Sequence, residues 1–407
     1  MRTAARIVPV VLATLLLAGL ALPPAGAVPS PTPAATTLQF YGGEVRAVAQ
    51  IGSSIYVGGS FTGVGYGSPT IARAHLVALD ATTGLHLPGF DPRADDDVNA
   101  LLASPDGTRL YAGGVFNNVR GCTSCDRLAM LDPVTGIANT AFGPQPNAAV
   151  LKLALAGNTL FAGGTFATVD GRRRVRLAAV NATTGAVGAM ALHANGAVRD
   201  LAVNPSGTTL YLAGSFTTVG GAVRYSFASI AIAARTLTGW NPNIHASGWG
   251  VALAPDGATA YLTTADGTES VCGAAHESVI AMPAGTAGTP PVLWHNGGAP
   301  GCPFNSGDIN AVEATASAVY IGGHLTNLCT VKNTSYTVRC PGALTVRTHV
   351  AALDPATGVP LAWNPGASGT RGVLTAEALP AGLAIGGDFQ GAAGSPHQGF
   401  AVFPGTP

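Results

Sequence analysis

Apolar residues along this chain come in short runs, each ended by Gly, Asn, Asp or Thr, and the runs repeat. One phrase recurs: a short apolar strand, a turn, then an aromatic followed by Gly-Gly and Phe. It stands at Tyr56-Val57-Gly58-Gly59-Ser60-Phe61, Tyr111-Ala112-Gly113-Gly114-Val115-Phe116, Phe161-Ala162-Gly163-Gly164-Thr165-Phe166 and Tyr211-Leu212-Ala213-Gly214-Ser215-Phe216. Weaker copies are Tyr320-Ile321-Gly322-Gly323-His324-Leu325 and Ile385-Gly386-Gly387-Asp388-Phe389, and a degenerate one begins at Tyr261-Leu262-Thr263-Thr264. A polar loop and a third strand follow, as at Leu76–Asp80, Leu128–Asp132 and Val350–Asp354. A Thr-Gly turn usually follows, and the fourth strand ends on an aromatic, often with Pro two residues later: Phe90/Pro92, Phe142/Pro144, Trp240/Pro242, Trp363/Pro365.

Self-similarity with a period of about 50 residues marks a repeat architecture, and four short antiparallel strands per unit is the pattern of a propeller blade. The reading is an all-β, seven-bladed β-propeller over residues 36–407, with blades starting near 45, 98, 150, 198, 248, 309 and 373. The last unit stops after its third strand, Phe400-Ala401-Val402-Phe403. The segment Thr37-Leu38-Gln39-Phe40 is expected to supply its missing strand, closing the ring and leaving no open sheet edge.

Register also sorts the cysteines. Six in an exported chain allow fifteen pairings. Cys122 and Cys125 share one loop between second and third strands, Cys329 and Cys340 share another, and Cys272 and Cys302 fall on the same face of unit five. The expected disulfides are Cys122–Cys125, Cys272–Cys302 and Cys329–Cys340.

Export is read from the first 27 residues. Arg2 and Arg6 precede the apolar run Ile7–Leu22, and Ala25-Gly26-Ala27 offers the small residues of a signal-peptidase site. The run is too short, and too soon broken by Pro23 and Pro24, for a membrane span. Residues 28–35 read as a Pro-rich linker, and the mature chain is expected to be secreted and extracellular. Hydrophobic residues make up 47% of the chain and charged ones 10%, with no net charge. The first figure is incompatible with disorder, and the second leaves no basic footprint for nucleic acid.

The stretches Phe216-Thr217-Thr218-Val219-Gly220-Gly221-Ala222-Val223-Arg224 and Gly136-Ile137-Ala138-Asn139-Thr140-Ala141-Phe142 resemble the delta-60 repeat family of bacterial propellers, over nearly the whole mature chain. The resemblance implies an exported or surface propeller and brings no catalytic residues. Kelch propellers share the Gly-Gly doublets, but their Tyr and Trp pattern on the third and fourth strands is not reproduced here.

The chain has no G-x-S-x-G elbow, H-E-x-x-H, Walker loop or complete EF-hand loop. Residues that recur at one register are read as structural. Arg73, Arg174, Arg224 and Arg347, each three residues before a third strand, are expected to bond carbonyls between blades. Polar residues particular to one blade are the functional candidates. Near the starts of the first strands sit Arg46, Asn99, Arg199, Trp249 and Asn310, with Lys152 and Asp200 one residue further in, a set that would converge on the mouth of the central channel. Asp95-Asp96-Asp97 repel one another, which Ca²⁺ would relieve; these three are the metal candidates, and no other cofactor is expected.

The expected function is non-enzymatic binding of an extracellular protein or glycan, on the face that carries the disulfide-bonded loops. A polysaccharide hydrolase or lyase is the first alternative and would draw on Asp95–Asp97, Asp200 and Glu277. A structural spacer is the second.

Overall fold

A strand that is apolar on both faces has to be covered on both. The computed structural model describes residues 28–35, 38–123, 125–265, 278–297, 308–334 and 340–407. Every residue of Leu110–Gly114 and of Leu128–Leu131 is buried there, so sheets lie face against face. All the elements among the described residues are strands.

Seven sheets repeat one antiparallel order, first strand to second to third. In unit one these are Val45–Ile51, Ser54–Gly59 and Leu76–Asp80. First strands of the later units begin at Val98, Val150, Val198, Ser247, Ile309 and Val373. Units four and five add fourth strands, Thr236–Leu237 and Trp294–Gly297. In units one, two, three and six the expected fourth strand is a single bridge, Leu79 to His86 being one. The turn before it is built by side chains: Asp80 accepts from the N–H groups of Thr82 (3.1 Å) and Thr83 (2.8 Å) and from the Thr83 hydroxyl. Asp132, Asn181 and Asp354 receive the same pair of N–H groups.

The Gly-Gly-x-Phe phrase has two uses. A Cβ on Gly58 would stand 2.7 Å from Cγ1 of Val98, so the missing side chain is the seat for the next unit's first strand. Gly386, in the last unit, stands in that relation to Val45 of the first. The second use is a junction: the Gly59 N–H donates to the His75 carbonyl, and the His75 N–H to the Phe61 carbonyl, both at 2.9 Å. This requires a left-handed residue just before the third strand, and His75, Arg127, Arg176, Ser226 and His349 have φ of 62–64°.

Seven hydrophobic clusters fill the gaps between consecutive units. One of them joins Val45, Val48, Ile55 and Val57 of unit one to Ala384, Phe400 and Val402 of unit seven. Tyrosines tie neighbours across these gaps: the Tyr56 hydroxyl donates to Pro133 O (2.7 Å), Tyr111 to Ala182 O (2.8 Å) and Tyr211 to Ala284 O (2.8 Å).

The N-terminal segment departs from expectation. Gln39–Tyr41 pairs with Gly63–Gly65 of unit one rather than with the last third strand. Residues read as a linker lie along that strand instead: Ser30 N–H bonds Pro404 O (2.9 Å) and Ala34 N–H bonds Val402 O (2.8 Å). Leu38 and Phe40 are nevertheless fully buried in the cluster with Phe400 and Val402. Phe40 sits between Phe61 and Phe400, with ring centroids 4.8 and 5.6 Å away. Leu38 and Phe40 are thus buried between units one and seven while the backbone of residues 39–41 pairs with unit one, and the free edge falls to the segment upstream.

Cys122–Cys125 and Cys329–Cys340 are disulfide-bonded. Cys272, Cys302 and Glu277, and residues 1–27 read as a signal peptide, lie outside the described residues. The repeated arginines work within a unit, not between units. Arg174 donates to Gly188 O (2.6 Å), Arg224 to Thr238 O (3.0 Å) and Arg347 to Leu361 O (2.8 Å), each in the fourth-strand region of its own unit. The reach of an extended Arg fits the adjacent strand, while the neighbouring sheet is covered by apolar packing. Arg73 instead faces Asp91 at 3.6 Å.

Candidate functional site

Every first strand carries a β-bulge near its start. In unit one Val45 pairs with Gly59 and Ala47 with Gly58, which leaves Arg46 as the extra residue. Register shifts at the same place leave Asn99, Leu151, Arg199, Trp249, Asn310 and Leu374 extra in units two to seven. A bulge turns its unpaired residue out of the ladder, and all seven line one cavity of about 430 Å³. The seven mouth residues read from sequence are thus brought together, Lys152 and Asp200 being one step deeper. Leu151 and Leu374 escaped that reading because they are apolar; their register would have identified them.

One side of the rim is an ion network. Arg46 donates to Glu44 (3.2 Å), Asp97 (2.5 Å) and Asn99 (3.1 Å), while Arg371 reaches the other oxygen of Glu44 at 2.7 Å. On another side the Arg199 guanidinium lies 4.1 Å from the centroid of the Trp249 ring, a cation–π contact.

The metal candidates diverge. Asp95 accepts from the N–H groups of Asn117 (2.9 Å) and Asn118 (3.0 Å), Asp96 from the Asp97 N–H (2.8 Å), and Asp97 faces Arg46 and His75. Hydrogen bonds from Asn118 and Asn117 outweigh the effect of burial and hold the Asp95 carboxyl below its ordinary range. Among the described residues no three His, Cys, Asp or Glu side chains form a metal-holding group.

Deeper in, Lys152 Nζ stands 3.2 Å from Asp200 and 4.0 Å from Glu377, so one ammonium links units three, four and seven. Asp200 also accepts the backbone N–H of Val251 at 2.8 Å. A second cavity of about 500 Å³ lies beyond and shares Lys152, Asp200 and Glu377 with the first. Glu313 lines only the second. The Asp200 carboxylate, with Glu377 further off, raises the Lys152 ammonium above its ordinary range against the opposing effect of burial. Burial, then the neighbouring Glu377 charge, pushes Glu313 up to about 8, and burial raises Glu377 as well. Both glutamates were missed in the sequence. The signal was there: the positions equivalent to Glu313 and Glu377 in the other first strands are Ala49, Leu102, Ala154, Ala202 and Ala252.

No family model and no curated protein matches the chain. Among solved structures it is similar to the WD40 β-propeller domain of Doa1, with a TM-score of 0.51 over 90% of this chain and 97% of that one. The fold is a β-propeller. At 11% identity the likeness extends to the fold alone. It gives the geometry its frame, for the bulged first strands of a propeller face its axis and their side chains necessarily meet there. Among the described residues of this propeller, no helix is long and apolar enough to cross a membrane.

Proposed function

We propose that the chain is a secreted, non-enzymatic binding propeller of seven blades, with its ring closed by residues 30–34 and its ligand taken at the axial cavity. The observation that carries this reading is the convergence of all seven bulged residues, five of them polar or aromatic, on one small-ligand-sized space. The mouth opens on the face of the loops between second and third strands, where Cys122–Cys125 and Cys329–Cys340 lie. Loops carried by a rigid scaffold around a concave site are the usual setting of recognition. The partner is an extracellular protein or a glycan.

Thr165 is exposed on the rim and lines the cavity. Thr165→Trp should therefore abolish capture on arrays of glycans, cell-wall fragments and extracellular proteins, without changing the melting temperature. Capture that survives this blockage would place recognition elsewhere.

A second reading, hydrolysis or elimination on a polysaccharide, is favoured by the carboxyl groups of Asp200 and Glu377 around one ammonium, with a raised Glu313 behind them. A carboxyl pushed up to about 8, as Glu313 is, suits acid work near neutral pH. Glu377→Gln would then abolish release of reducing ends from the polysaccharide captured on the array. If no reducing ends appear with the unmodified protein, this reading fails and simple binding stands.

A further inference from the structure

The rim of the cavity is divided. From unit seven through units one and two, Arg371, Glu44, Arg46, Asp97 and Asn99 satisfy one another. Apart from the exposed Arg371 guanidinium, this arc is engaged with itself and works as a clasp between neighbouring blades. Leu374 and Leu151 bound it. The remaining arc is Arg199, Trp249 and Asn310, from units four, five and six.

Three features set that arc apart. Arg199 lies against the indole of Trp249 and fixes it in one orientation before any ligand arrives. The Trp249 indole lines the cavity, with its Nε1 buried without a partner. Asn310 makes no side-chain hydrogen bond within the described structure although it faces the cavity.

Charge narrows the ligand class. The cavity is lined by the bases Arg46, Lys152, Arg199 and Arg371 and the acids Glu44, Asp200 and Glu377, with Asp97 on Arg46. Bases and acids are matched, so a strongly charged ligand gains no net attraction. The floor presents a donor, Lys152, between acceptors, Asp200 and Glu377. A hydroxyl group both donates and accepts, and a polyhydroxylated ring fits such a floor. Trp249, Leu151 and Leu374 offer apolar surface to its C–H faces.

Building on the binding reading above, we infer that the cavity takes the terminal unit of a neutral saccharide. The ring lies against the Trp249 side, with hydroxyls on Asn310 and on the Lys152–Asp200 floor.

Calorimetric titration of the full-length secreted protein with cellobiose, maltose and N,N′-diacetylchitobiose, and with glucuronate and glucosamine as charged counterparts, tests this. At least one neutral disaccharide should bind. Trp249→Ala should weaken it about tenfold or more, a loss of about 1.4 kcal/mol. Trp249→Phe, which keeps a stacking ring and safeguards the fold, should lose less, and Asn310→Ala should weaken it severalfold. Binding of the charged sugars alone, or a neutral-sugar affinity indifferent to both Trp249→Ala and Asn310→Ala, would overturn the inference. If neutral disaccharides fail while Thr165→Trp still abolishes capture on the arrays, the saccharide assignment falls and the axial binding site stands. If Thr165→Trp has no effect on capture, both fall.

Discussion

At the scale of single residues, two buried titratable groups pull stability in opposite directions with pH. Glu313 is pushed up to about 8 by burial and by Glu377, whereas an unfolded glutamate ionises near about 4.3. Its contribution is complete below the unfolded value and is lost as pH rises through the folded one. Glu313→Gln should therefore stabilise the protein at pH 8, by on the order of 1 kcal/mol after allowance for solvent in the cavity. At pH 4 it should change little, and urea unfolding at the two pH values measures the difference. His349 behaves oppositely. Burial, first, and the nearby His324 lower it, although its Nδ1 lies 2.7 Å from Ala367 O. The native state prefers the neutral ring, so its contribution is present above about pH 6.5 and is lost as pH falls towards the folded value. Asn tolerates the left-handed backbone at this position, φ 64°. His349→Asn should flatten the fall in melting temperature between pH 7.5 and 5.

Among the elements, stability comes from devices repeated unit by unit. The Tyr111 hydroxyl reaches Ala182 O of the next unit in a buried bond. Tyr111→Phe leaves that carbonyl unsatisfied and should cost about 1–2 kcal/mol, read from chemical denaturation. Cys329–Cys340 closes a longer loop than Cys122–Cys125, with sequence separations of 11 and 3. Replacing both Cys329 and Cys340 by Ser should cost about 2–3 kcal/mol in the loop-entropy account, more than the same change at Cys122 and Cys125. The Gly-Gly-x-Phe phrase was legible because it is spelled with few residue types. The left-handed position before the third strand was not, since His75, Arg127, Arg176, Ser226 and His349 share no chemistry. What they share is a backbone demand from the Gly and the Phe (Leu325 in unit six) across the junction.

For the molecule as a whole, the proposed ring depends on one short segment. Ser30 and Ala34 bond the last third strand, and the Trp363 indole N–H donates to Ser30 O at 3.3 Å. Deleting residues 28–34 uncovers that edge. The expected result is a melting temperature lower by several degrees and a concentration-dependent tendency to associate through the bare strand, checked by thermal unfolding and light scattering. A shortened chain that melts and sediments like the original would show that the ring closes without this segment.

The sequence by itself determined the first three strands of each unit, the turns, the repeat and the polar candidates near the first-strand starts of units one to six. All of these are local, set by runs of apolar residues and by Asp, Thr and Gly at fixed offsets. Tertiary structure decided which residue takes the free edge, that the repeated arginines serve their own sheets, and that one arc of the rim is spent on itself. It also decided that Lys152 meets Glu377. Units three and seven are far apart in the chain, and no local pattern records a pairing made only when sheets converge on a common axis.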